Sequence, residues 1–262
     1  LGTVIGDFTL DEDAKARSGT GLSLKGQVYH RLPLSKGLDF LARVSGDADL
    51  YRQGSFNDIA LNAQIGPQWK WGQDRLSLSA LAGLRWYGGD PYTRNWGASG
   101  NWLHPTGRRS QVRIDGSVLR IDNRRNDLED AVHYALSGTL ERAFTARFGG
   151  GLQLSAQRGV ARDSGYSTWR GGLDAYLFRE LGKTTVVANA GYSRLEADER
   201  LFLYPERRKD DRFTVGASAT FRSLRIGTFA PLARVKYESN KSSIEIYDFN
   251  RIAGEIGITA AF

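Results

Sequence analysis

The 262-residue chain has no cysteine, only three histidines, and no stretch approaching the roughly 18 consecutive apolar residues of a membrane helix. Without cysteine it forms neither disulfides nor thiolate metal sites, an absence compatible with export. No helical period of 3.6 holds over any long window, and no helical repeat of about 34 residues is present. His30, His104 and His133 are scattered and lack the clustered carboxylates of a metal site, or the serine and orienting group of a hydrolase. The expectation is therefore no enzyme, no cofactor and no metal. The balance of 36 Lys and Arg against 29 Asp and Glu leaves a charge of +7. No nucleic-acid motif accompanies that charge, so a nucleic-acid partner is not expected. The start, Leu1-Gly-Thr-Val-Ile-Gly6, has neither an initiator Met nor a basic-then-apolar leader, so at least a signal peptide is expected to have preceded it.

What the chain does have is alternation. In the last sixteen residues, Ile252, Gly254, Ile256, Ile258, Ala260 and Phe262 fall on one face of a strand, and Ala253, Glu255, Gly257, Thr259 and Ala261 on the other. The same period of two runs through Leu22 to Tyr29, Leu38 to Ser45, Ile59 to Trp69, Leu76 to Trp86, Val112 to Val118, Val132 to Glu141 and Arg212 to Phe221. Turn signals divide the chain into about fourteen strands, from a first at 1–9 to a last at 247–262, each with its turn taking roughly twenty residues. Tight connections are expected at 33–36, 72–74, 105–107, 182–183 and 225–227. Longer ones are expected near 10–17, 50–56, 89–93, 123–128, 197–210 and 240–246.

A water-soluble sandwich also alternates, with its apolar faces inward. Two features favour the inverse arrangement: large charged residues on nearly every mixed face, and Trp69, Trp86, Trp96, Trp102, Trp169, Tyr237 and Phe262 gathered near strand ends. The reading is an all-β, transmembrane, antiparallel up-and-down barrel, one domain over 1–262, in the outer membrane of a Gram-negative bacterium. Short turns and both termini are then periplasmic, with Phe262 at the rim as the signal read by the barrel assembly machinery.

In that reading Lys25, Arg43, Arg85, Arg113, Asp115, Glu141, Arg170, Asp174, Arg234, Lys236 and Glu255 line the lumen. A water-filled lumen with this modest cationic excess implies weak anion preference; a plugged one makes the same residues an ion-pair network. Arg124, Arg125, Arg207, Arg208 and Lys209 sit at the long loops, where they would meet phosphates of outer-membrane lipid and lipopolysaccharide, or else pair with neighbouring carboxylates.

The C-terminal hairpin, from Pro231 through Arg251 to Gly254-Glu-Ile-Gly-Ile258 and Ala261-Phe262, resembles the end of the surface lipoprotein assembly modifier family. Asn240, Ser242, Tyr247, Asp248 and Arg251 carry the resemblance. It implies an outer-membrane barrel that helps client lipoproteins or other proteins reach the cell surface, usually behind a periplasmic tetratricopeptide-type domain, which this chain does not contain. The alternative is a passive, weakly anion-preferring solute channel. In the first case the lumen, or a seam between Leu1–Thr9 and the last strand, accommodates the client.

Overall fold

The computed structural model describes residues 4–5, 8–9, 21–227 and 229–260. Thirteen of its strands form one antiparallel sheet in sequence order, each paired with the one before and after it. They are β3 (Gly21–Ser35), β4 (Leu38–Tyr51), β5 (Asp58–Trp71), β6 (Asp74–Tyr87), β7 (Asp90–Gly107), β8 (Ser110–Asn123), β9 (Ala131–Thr145), β10 (Phe148–Ala161), β11 (Thr168–Leu181), β12 (Thr184–Arg200), β13 (Arg207–Phe221), β14 (Phe229–Ser242) and β15 (Phe249–Ala260). The expected strand at 1–9 falls largely outside the described residues. Its described parts, β1 (Val4–Ile5) and β2 (Phe8–Thr9), pair with each other and stand apart from the main sheet. The sheet thus has thirteen strands where about fourteen were expected, and among the described residues no pairing joins β15 to β3. Phe262 also lies outside the described residues.

Meander topology separates the connections into two rims. Two-residue turns follow β3, β5, β7, β9 and β11, and a longer segment containing a 3-10 turn at Arg222–Leu224 follows β13. The opposite rim carries the loops 52–57, 124–130, 162–167, 201–206 and 243–248. Four expectations for the connections change here, the first being the tight turn expected at 225–227, which is the longer segment after β13. The long connection near 89–93 is a two-residue turn at Gly88 and Gly89, whose φ of 64° and 91° supply the paired left-handed conformation of a tight hairpin. Pro105 to Gly107 belong to β7, and the turn comes two residues later at 108–109. The connection expected over 197–210 shrinks to 201–206, because β12 and β13 continue past the apolar part of their sequence.

The loops of the second rim are compact, and their sequences explain why. In three of them a backbone N–H at the end of the strand donates to a side chain six or seven residues on: Tyr51 to Asn57 Oδ1 at 2.7 Å, Asn123 to Asp130 Oδ1 at 2.8 Å, and Ala161 to Ser167 Oγ at 2.9 Å. Each bond closes a loop around one 3-10 turn, at Gly54–Phe56, Asp127–Glu129 and Ser164–Tyr166. Side-chain caps from Asn126 and Asp163 satisfy the turn's free N–H groups in two of them.

Burial runs opposite to that of a soluble protein. Leu22, Leu24, Val28, Ile59, Leu61, Ile65, Leu78, Leu84, Leu136, Leu140, Leu152, Leu154, Leu173, Val215, Val235, Ile252 and Ile256 are all exposed. The buried apolar side chains among the described residues are Ala131, Leu195, Ala197, Ala230 and Ile244. Buried polar ones are more numerous and include Asp39, Ser77, Ser79, Thr139, Asp210, Glu238 and Asn240. Within the strands, exposure of the large apolar side chains is greatest at the two edges, where Val28 in β3 is 74% and Ile256 in β15 is 91% accessible. Among the described residues no helix is long and apolar enough to cross a membrane.

Candidate functional site: the polar face and the C-terminal hairpin

Pairing register, followed strand by strand, fixes which side chains share a face. Lys25 opposes Asp47, Arg43 opposes Gln64, Arg113 opposes Leu103 and Thr139, Glu141 opposes Gln111 and Gly151, and Asp174 opposes Gln153 and Gly191. Carried across all thirteen strands, the register puts the eleven residues read as lumen-lining on one face, together with Ser77, Ser79, Thr139 and Glu238. The exposed leucines, valines and isoleucines fall on the other.

Most charges of the polar face are paired. Arg85 makes a forked contact with Asp58, Nε to Oδ1 at 2.7 Å and Nη2 to Oδ2 at 2.5 Å. Asp115 takes Asn101 Nδ2 at 2.5 Å and Arg113 Nε at 3.2 Å. Glu141 accepts from the Tyr176 hydroxyl at 2.7 Å and from Gln111. Arg234 reaches Glu255 at 2.9 Å. Arg43 lies over the Tyr29 ring at 5.8 Å, while Lys25, Arg170 and Asp174 have no ion-pair partner among the described residues.

Two carboxylates organise the ends of the sheet. Glu238 in β14, 1% exposed, holds Arg212 from β13, Lys236 Nζ at 2.9 Å and Arg251 from β15, whose Nε stands 3.1 Å away. Asp39 in β4 is buried between Arg31 Nε from β3 at 2.9 Å and Lys70 from β5. Each carboxylate therefore ties an edge strand to two inner ones. Sequence reasoning missed Arg31, Asp58 and Lys70, and singled out Arg251 only for the family resemblance, not for the polar face. The first three lie within a few residues of a turn, where alternation is weakest, although their opposite charges on adjacent strands were a usable signal.

Residues assigned to the loops prove to be divided. Arg207, Arg208 and Lys209 begin β13, so alternation sends Arg207 and Lys209 to the apolar face and Arg208 to the polar one. Arg208 stacks 3.5 Å above the Tyr247 ring and holds Asp210 with Nε at 2.9 Å and Nη2 at 2.5 Å. Arg207 donates to the Asp198 carbonyl at 3.2 Å. Arg124 reaches Asp122 at 3.2 Å, and Arg125 donates to the Tyr87 carbonyl at 2.5 Å between the Tyr87 and Tyr92 rings. His133 lies on the polar face, and His104 pairs with Asp74 beside the Trp102 ring.

Around the 243–248 loop, the hairpin residues singled out in the sequence acquire individual work. Asn240 Nδ2 donates to the Tyr247 carbonyl at 2.6 Å, and the Ser242 hydroxyl donates to Asp210 at 2.6 Å while accepting from the Ile244 N–H at 3.1 Å. Asp248 N–H closes the 3-10 turn onto the Glu245 carbonyl at 2.9 Å. Tyr247 forms the floor under Arg208, its phenol pushed up by burial and so kept neutral. Arg251 completes the Glu238 cluster. Five scattered positions are thus one device that folds the last hairpin onto β13. The model of the surface lipoprotein assembly modifiers matches residues 7–260.

The chain belongs to that family.

No curated protein matches the chain. Among solved structures, one described as a bacterial polysaccharide outer membrane secretin is similar at 12% identity, covering 91% of this chain and 77% of that one, with a TM-score of 0.49. In this surface lipoprotein assembly modifier, the device around Asn240 and Arg251 gives the terminal hairpin a physical reason for its sequence.

Proposed function

We propose that this surface lipoprotein assembly modifier is an outer-membrane β-barrel that assists the passage of client lipoproteins to the cell surface. The observation that carries the membrane part is the inverted burial: a continuous exposed apolar face backed by a charged, mutually paired one. In water the apolar face would cost roughly 25 cal/mol for each Å² left uncovered, whereas hydrocarbon removes that cost. Rows of aromatic side chains supply interfacial anchors at both ends of this face: Trp96, Tyr134, Trp169, Tyr192 and Phe213 toward the loop rim, Trp69, Trp102, Phe144 and Phe148 toward the turn rim. In this arrangement β3 and β15 approach each other as the seam, short turns face the periplasm, and the charged face becomes the lumen wall.

Family membership supports the transport role, and the paired charges of the wall give it a polar lining along which an extended chain would find hydrogen-bond partners. No catalytic step is assigned to the chain. The test is surface display of a co-expressed lipoprotein, scored by protease accessibility on intact cells with and without this protein; unchanged display removes the translocation role. A second reading, passive anion conduction, draws on Lys25, Arg43 and Arg170, polar-face cations without a carboxylate partner among the described residues. Planar-bilayer reversal potentials test it, and cation preference or absence of conductance rejects it.

A further inference from the structure

The apolar face carries charge at one end only in part balanced. Toward the loop rim, Asp122, Glu196, Asp198 and Asp211 each already hold an arginine: Arg124 at 3.2 Å, Arg194 at 2.8 Å, Arg158 at 2.6 Å, and Arg194 again at 3.8 Å. Further cations on the same face and at the same end make no ion pair among the described residues, and four of them stand near the aromatic row. Arg94 in β7 and Arg120 in β8 flank Trp96, with Arg120 over its ring at 5.9 Å, and Arg94 stands opposite Asp122 in register without an ion pair to it. Lys209 in β13 shares a row with Trp169 across Glu196, and Lys241 in β14 lies directly beside Asp211; neither lysine makes an ion pair with its neighbouring carboxylate. All four are exposed. They form two pairs, one on β7–β8 and one on β13–β14, each at or just beyond the aromatic row.

We propose that these two pairs bind the phosphate groups of outer-leaflet lipid headgroups, with the lipid chains lying on the apolar face below. The inference rests on the membrane orientation proposed above. Its chemistry is charge complementarity: an exposed cation near the interfacial aromatic row, with its neighbouring carboxylate already held by another arginine, presents donors at headgroup depth, where phosphate oxygens accept strongly. The inference revises which loop-rim cations meet lipid. Arg125 and Arg208 are spent on Tyr87, Tyr92, Tyr247 and Asp210, whereas Arg94, Arg120 and Lys241, none of them in a loop, are free to do it.

The test uses the full chain in detergent micelles, titrated with bisphosphorylated lipid A, with phosphate-free lipid A of the same acyl composition, and with inorganic phosphate; native mass spectrometry counts bound lipid. Replacing Arg94, Arg120, Lys209 and Lys241 together by Gln is expected to weaken binding of the bisphosphorylated lipid about tenfold or more, with the phosphate-free lipid unaffected. Lys36→Gln with Lys183→Gln, at the opposite rim, is the charge-matched control for either pair taken alone and leaves binding unchanged. Should the fourfold variant fail to fold, the R94Q/R120Q and K209Q/K241Q pairs each carry the same prediction at smaller size. Equal affinity for the two lipids, or an unaltered affinity of the variants, overturns the proposal. So does full competition by millimolar inorganic phosphate, which identifies a free-anion site. Integration of the protein into lipid vesicles is measured alongside. Integration without phosphate dependence sinks this inference alone, while a protein that stays in the aqueous phase sinks the membrane reading and this inference with it.

Discussion

Glu238 and Asp39 solve the same problem at opposite ends of the sheet with different resources. Each is a shielded carboxylate that reaches an arginine on an unpaired edge strand, Arg251 on β15 or Arg31 on β3, and a cation on an inner strand, Arg212 or Lys70. Glu238 adds a third cation, Lys236, from its own strand and is the more deeply shielded of the two. Edge strands have one ladder of backbone hydrogen bonds where inner strands have two, so side-chain ties matter most there. The comparison teaches that this protein fastens its first and last sheet strands with charge on the polar face, while among the described residues no element packs on the apolar face.

The largest test of that contrast is Glu238→Gln, which leaves Arg212, Lys236 and Arg251 around a neutral amide. We expect a loss of about 3 kcal/mol in urea unfolding measured in micelles. Asp39→Asn strands only two cations, and a smaller drop in midpoint is expected in the same assay. Equal losses from the two would show that the third cation at Glu238 is without consequence. Arg251→Gln keeps Glu238 paired to two cations, so about 1 kcal/mol or less is expected. Its signature is local: amide hydrogen exchange should quicken in β15 while β9 and β10 hold. Smallest of all is Lys25→Gln on β3. With no ion partner, it should shift stability by less than about 0.5 kcal/mol, and a larger effect would mean that Lys25 meets a partner across the seam.

Much of this was legible in the chain itself. Alternation at Leu76 to Trp86 or Val132 to Glu141 assigns each side chain to a face, since a period of two is a local property of an extended backbone. All eleven residues read from that period as facing one way do share a face. Loop lengths were harder to read. Gly88-Gly89, followed by Asp90-Pro91, suggests a loop, yet its two left-handed residues make a two-residue hairpin. Charged residues past Leu195 and before Phe213 likewise look like loop, although β12 and β13 continue through them. The strand seen at 1–9 had the right pattern, but the described pieces pair with each other, a choice between local and distant partners that alternation cannot make.

By itself, the sequence determined the strand period, the two chemically distinct faces and the family, all of which depend on residue identity at short separation. Only the tertiary structure decided which charges meet. Glu238 takes Arg212 from 26 residues away and Arg251 from 13, and Asp39 takes Lys70 from 31. Such partners follow from register accumulated across neighbouring strands, where a slip of one residue would turn every later charge to the opposite face. The same register sets Arg94, Lys209 and Lys241 opposite Asp122, Glu196 and Asp211, yet those carboxylates hold Arg124 and Arg194 instead, an outcome that no local sequence contains.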